Sequence, residues 1–166
     1  MPEAIALHAA GISSTGDETL DARLPFDEPY RIPRSTARFV EQARRESRRI
    51  IAIGTTVVRA LEHCASVYGR VVAAEGTATQ RITEATTLGV VDAILSGVHE
   101  PGTSHYRLLQ AFADRTVLEQ AGRTMESLGY RTHEFGDSVL MERRAVSTLK
   151  RCAEDPRDRG FASARP

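Results

Sequence analysis

Apolar residues recur along the chain with two periods, and the switches between them mark the elements. Residues 36–48 are helical by composition, with Ser35 as the expected N-cap. The string RRIIAIGTTVVRALEHCASVYG then changes period. Residues 50–53 form a continuous apolar run, the pattern of a buried strand, and Gly54-Thr55-Thr56 interrupts it. Apolar positions 57, 58, 61, 64 and 65 make a helical stripe over residues 57–68, and Gly69 is a natural terminator. GVVDAIL, residues 89–95, predicts a second buried strand, in which Asp92 needs a partner or an exposed face. Two helices follow, over 104–113 and 115–128, the second closed by Gly129. Two short strands flank the turn signal Gly136-Asp137.

The remaining stretches lack such periods. Residues 1–30 mix Gly, Ser, Asp and Pro and read as loop, with a short strand over 4–8. Residues 72–88 are small and polar and predict either a hairpin about Glu75-Gly76 or a loop. After Leu149 the apolar content falls away, so the tail 143–166 reads as mostly disordered. Strands separated by helices predict an α/β fold, a layered α/β/α domain with a mainly parallel sheet. The expected organisation is a loop-rich segment 1–30, an α/β domain 31–142 and a basic tail 143–166.

Composition narrows the class. No apolar run among the 166 residues approaches the roughly 18 needed for a membrane-spanning helix. The first residues, MPEAIALHAAG, lack the basic start of a secretion signal. Cys64 and Cys152 have no CxxC spacing and read as incidental thiols, which suits a reducing, cytoplasmic setting. The formal net charge is zero, but residues 31–49 hold seven Arg against Glu41 and Glu46. Such a segment can meet phosphate, as in a nucleic acid, or form a solvated helix face.

In open α/β sheets, ligands sit beyond the carboxyl ends of the strands. Gly54-Thr55-Thr56 is one such end and opens a helix, so it fits either a plain cap or an anion site. Residues 96–104 are a second, and Phe135-Gly136-Asp137 a third. His99 and His105 match no standard zinc spacing and no Cys lies near, so no metal is expected. Ser104 reads as an N-cap, with His105 on the helix's first turn and away from any ligand. His99 reads either as an acid–base group, since its pKa lies near working pH, or as a structural histidine. No G-x-S-x-G surrounds Ser104, which speaks against a hydrolase triad of Ser104, His99 and Asp137.

Four blocks in register resemble the S-adenosylmethionine:tRNA ribosyltransferase-isomerase family of queuosine biosynthesis. They are LPFDEPYRIPRSTARFVEQARRESRRIIAIGTTVVRALE, TQRITEATTLGVVDAILSGVHEPGTS, LLQAFADRTVLEQA and GYRTHEFGDSVLM. Gly54, Thr55, Thr56, Arg59 and Leu61-Glu62 stand at the family's GTT-x-x-R-x-LE positions. His99, Pro101, Thr103 and Ser104 fall on its H-x-P-x-S-T loop, and Asp137 on its Phe-Gly-Asp.

The resemblance implies a three-layer α/β/α domain. It also implies transfer and isomerisation of the ribosyl group of S-adenosylmethionine onto 7-aminomethyl-7-deazaguanine in tRNA. S-adenosylmethionine is then a ribosyl-donor substrate, and no metal is implied. His99 becomes the candidate base for the acidic C–H beside the sulfonium. The methionyl carboxylate is expected at Gly54-Thr55-Thr56 with Arg59 nearby, and Asp137 is expected to accept hydrogen bonds from base or ribose.

The chain departs from the family around His99. Gly97-Val98-His99-Glu100-Pro101-Gly102 replaces the commoner Asn-Phe-His-Leu-Pro-Lys, which removes an amide and a positive charge. It also starts where the family's second half starts, without the family's inserted β-barrel. The expectation is therefore a half-enzyme, with a partner chain supplying the rest, or a non-catalytic module that binds a nucleoside-like ligand.

Overall fold

The computed structural model describes residues 15–131 and 136–143. The strand expected over 4–8, the tail beyond Arg143 and part of the segment before Gly136 lie outside these residues. The element order is α1 (Glu18–Asp21), β1 (Glu28–Ile32), α2 (Arg34–Arg45), β2 (Ile51–Ile53), α3 (Thr55–Tyr68), β3 (Ala74–Ala78), β4 (Ala93–Gly97), α4 (Ser104–Leu109), α5 (Arg115–Ser127) and β5 (Ser138–Glu142). The chain is α/β, as the pattern predicts. Its sheet of three runs β2-β4-β5, and a separate pair joins β1 to β3. The parallel part among the described residues is β2–β4, whereas β5 and the β1–β3 pair are antiparallel.

Helix α3 is the centre of the packing. Val58 and Cys64 are fully buried and Leu61 nearly so. They join Ile94, Val91, Phe112 and Leu109 in one core that also takes Tyr30 and Ile32 from β1. Each such side chain contributes about 1.5–3 kcal/mol by leaving water. Gly54 starts α3 at φ 86°, a left-handed conformation that turns the chain sharply out of β2, so the helix begins two residues before the apolar stripe. Gly69 ends it in the left-handed region at φ 73°.

Several expectations are corrected by contacts between distant segments. Glu75-Gly76 is not a turn: both residues lie inside β3, paired with Arg31 and Tyr30 of β1. A Cβ at Gly76 would sit 2.8 Å from the Tyr30 hydroxyl oxygen, so the glycine makes room for that ring. The strand expected over 89–95 begins only at Ala93. The backbone N–H groups of Gly89, Val90 and Val91 instead donate to the Glu62 carboxylate at 2.8, 2.9 and 2.9 Å. Asp92 has the partners its position demands: the Ile50 N–H donates to Oδ2 at 2.9 Å, and Arg143 pairs with Oδ1 at 2.8 Å.

Pro33 holds the N-cap position of helix α2 without a side-chain cap, and Ser35 lies inside the helix. It ends at a turn in which Ser47 takes φ 51° and the Arg48 N–H reaches the Ala43 carbonyl at 2.7 Å. Helix α4 stops at Leu109, where the chain tightens into i→i+3 bonds from Ala111 and Phe112.

The outward face of the β2-β4-β5 sheet carries an apolar row. Ile53 pairs with Leu95, which pairs with Leu140, and the three are 72%, 37% and 54% exposed.

Candidate active site

The parallel β2–β4 pair brings its two carboxyl ends together. The Gly54 N–H donates to the Leu95 carbonyl at 2.9 Å, which ties the start of α3 to the end of β4. Gly54 offers no side-chain cap to α3. Such a helix start has first-turn N–H groups oriented toward an anion. Thr55 and Thr56 are buried, so their side chains belong to the wall of this end rather than to its surface.

Beyond β4, Ser96 and His99 are joined, with Ser96 Oγ 2.8 Å from His99 Nε2. Ser96 is buried on the strand, so it gives the imidazole a fixed anchor. The His99 ring also packs edge-to-face on His105, with centroids 4.8 Å apart and an interplanar angle of 65°. His105 is thus not a peripheral first-turn residue, as the sequence suggests. It is buried, and burial, followed by His99 and then Arg59, lowers its pKa to about 4. At neutral pH His105 is an uncharged ring. Ser96 and His105 together fix His99 from two sides.

Arg59 lies one turn into α3 and is 2% exposed. Its Nη1 is 2.8 Å from Glu28 Oε1, an ion pair not aligned as a hydrogen bond, and its Nη2 donates to the Ala78 carbonyl at 2.8 Å. Burial lowers the guanidinium pKa and Glu28 works against that shift. The guanidinium therefore binds α3 to β1 and β3, while its charge is still felt by His105.

The other sequence candidates gather around the same loop. Thr103, not Ser104, caps α4: its Oγ1 accepts from the Tyr106 N–H at 3.2 Å and donates to the Glu100 carbonyl at 2.8 Å. Thr103 fits because its extended backbone aims the hydroxyl at the helix start. Ser104 is buried, and Pro101 is exposed at the turn before Gly102. The Asp137 carbonyl accepts the Val98 N–H at 3.0 Å, and its Oδ2 accepts the Arg131 N–H at 2.8 Å. Asp137 thus stands beside the His99 loop and pins the approach to β5. Ser96 and Glu28 escape sequence reasoning, because nothing in their local pattern marks them, and His105 is read there only as a peripheral first-turn residue.

The His99 loop also forms part of a cavity of about 730 Å³, whose wall includes Tyr106, Leu118, Gly122, Tyr130 and Met141. Among the described residues, no group of three or more His, Cys, Asp or Glu could hold a metal ion. No described helix is long and apolar enough to cross a membrane.

Comparison with known proteins places this arrangement. A family model described as "Queuosine biosynthesis protein" matches residues 4–141. The chain belongs to that family. Among queuosine biosynthesis proteins, an S-adenosylmethionine:tRNA ribosyltransferase-isomerase of Thermus thermophilus is 40% identical over 114 residues, 69% of this chain and 33% of the relative. The enzyme of the same name from Geobacter sulfurreducens is 35% identical over 124 residues, 75% of this chain and 36% of its own length. A crystal structure of S-adenosylmethionine tRNA ribosyltransferase from Thermotoga maritima superposes with a TM-score of 0.61 at 31% identity, covering 68% of this chain and 40% of that one. The chain therefore spans about a third of the length of these curated queuosine biosynthesis relatives.

Proposed function

We propose that this chain carries the ribosyl-donor site of an S-adenosylmethionine:tRNA ribosyltransferase-isomerase, working in the cytoplasm on 7-aminomethyl-7-deazaguanine in tRNA, with His99 as the base. The observation that carries the reading is the clamp on His99 at the carboxyl end of β4, beside the open start of α3. A sulfonium acidifies the C–H next to it, so a fixed imidazole can take that proton and leave the electron pair on carbon beside sulfur. The neutral His105 supports the assignment, because it adds no charge of its own beside His99. The first-turn N–H groups of α3 suit the methionyl carboxylate, with Thr55 and Thr56 shaping the pocket. Asp137 and the Pro101–Ser104 loop border the space where ribose and base would lie.

In this reading the remaining portion of the family's fold, on the same polypeptide or on a partner chain, packs against this domain. The exposed row Ile53, Leu95 and Leu140, extended by Ile51, is the surface that this portion would cover. The rival reading is a module that binds a nucleoside-like ligand without turnover.

Two measurements test the proposal. S-adenosylmethionine at 100 times its dissociation constant should stabilise the chain by about 2.7 kcal/mol, read as a thermal shift. Adenine release, measured with the complementing portion of a family member, should fall about 10²-fold or more in His99→Ala while the fold persists. No thermal shift at millimolar ligand would remove the site. Binding without release by the reconstituted pair would favour the module.

A further inference from the structure

Helix α2 turns a row of arginines to solvent. At 3.6 residues per turn, positions 34, 38 and 45 fall within about 40° of one another, and the row runs for about 16 Å. All three are arginines and all three are exposed. Among the described residues, none of them has an ion-pair or hydrogen-bond partner for its side chain. The neighbouring cations are engaged. Arg44 donates to the Gly89 carbonyl, Arg48 pairs with Glu46, and Arg49 pairs with Glu142. Glu41, the acid that falls in the same row, lies 3.7 Å from Arg70.

The stability of the helix does not account for this row. Arg45 stands in the last turn and suits the helix dipole. Arg34 stands in the first turn, where a cation opposes the dipole and no acid offsets it. Arg34 and Arg38, four residues apart, also repel each other. The apolar face of α2 is closed to a membrane, because Ala37 and Val40 are buried in the core. Phe39 flanks the arginines and is 53% exposed.

These features fit a run of phosphates. A duplex strand carries a phosphate about every 3.4 Å of its axis, so about five pass over a row of this length. Arginines without acidic partners break no protein ion pair when they meet phosphate, and the strand gains by releasing its counterions. The Phe39 ring adds a platform for an unpaired base, which RNA loops supply.

We propose that the exposed face of α2 docks RNA, with Arg34, Arg38 and Arg45 on its phosphates and Phe39 against an unpaired base. The inference rests on the proposed reading only in taking the polyanion to be RNA. None of the four residues lines the cavity beside His99, so docking requires no S-adenosylmethionine.

The test uses the full chain and a fluorescein-labelled RNA hairpin, followed by anisotropy between about 50 and 200 mM salt. The wild type should bind, with an affinity that falls as salt rises. The triple variant Arg34→Gln, Arg38→Gln, Arg45→Gln should keep the fold, checked by circular dichroism. It should bind at least about 10-fold more weakly and flatten the log–log salt slope by about 2 to 3, the loss of three phosphate contacts. A control variant, Arg48→Gln, Arg49→Gln, Arg70→Gln, removes the same charge from arginines that already have partners. Its affinity should stay within about 3-fold of the wild type. Phe39→Ala should weaken the hairpin about 5-fold with the salt slope unchanged, because stacking releases no counterions.

Failure of the wild type to bind the hairpin would overturn the proposal. So would equal losses in the two triple variants, since net charge alone would then hold the RNA. An unchanged affinity in Phe39→Ala would overturn the assignment to RNA. Tighter binding of poly-glutamate or of phosphatidylglycerol vesicles, lost in the Arg34, Arg38, Arg45 variant, would give the face to an acidic protein or a lipid surface instead. The thermal shift caused by S-adenosylmethionine should be the same in that variant and the wild type. Hairpin binding without any such shift sinks the ribosyl-donor reading and leaves this face standing; the shift without hairpin binding sinks this face alone.

Discussion

Mild acid should destabilise the protein through His105. The side chain is buried, and burial, with His99 and Arg59 adding to it, lowers its pKa from 6.5 to about 4. In the unfolded chain the ring takes its proton near pH 6.5. Between these values the unfolded state binds a proton at His105 that the folded state refuses. Stability is therefore full above about pH 6.5 and declines as the pH falls toward 4. At 1.36 kcal/mol per pKa unit, the whole contribution is about 3 kcal/mol, of which about 2 kcal/mol is lost between pH 7 and pH 5. Urea denaturation followed by circular dichroism at both pH values, on the wild type and on His105→Gln, isolates the effect. Every other titrating group is common to the two proteins. The wild type should lose about 2 kcal/mol more than the variant on acidification. Equal losses would mean that His105 is not held neutral in the fold, and its role as an uncharged support for His99 would have to be abandoned.

Two further outcomes follow from the same contacts. Glu28→Ala should cost roughly 3–5 kcal/mol in urea denaturation because it strands the buried Arg59 guanidinium, and Glu28→Leu combined with Arg59→Met should recover much of that loss; a mild single variant would show that the pair is solvated. Thr103→Ala should lower stability by about 1 kcal/mol by thermal melting, since Thr103 caps α4; no change would shift the cap to another residue.

Local pattern along the chain was enough for the α/β class, β2, α3 and its terminating glycine, the existence of α2, α4 and α5, and the loop that holds His99. Each is a short-range signal: an apolar run, a helical stripe, a glycine where the backbone turns. The family was legible too, since the four blocks fall within the matched residues 4–141. Other features depend on partners far away in the chain and emerge only when it folds. Strands β1 and β3, rich in Glu, Pro, Gly and Thr, show no strand period, and they exist because each satisfies the other's backbone and both pack on α3. The start of β4 is set by Glu62, 27 residues before Gly89, whose carboxylate withdraws three N–H groups from the sheet. The Arg59 guanidinium turns to Glu28 because a charge removed from water needs its counter-charge at hand, and that residue lies on another strand. His105 reads as a surface position from its place on a first turn. It is buried, and its ring lies edge-to-face on His99 in the loop that follows β4. A period along the chain records which face of an element avoids water, but not which distant group that face will meet.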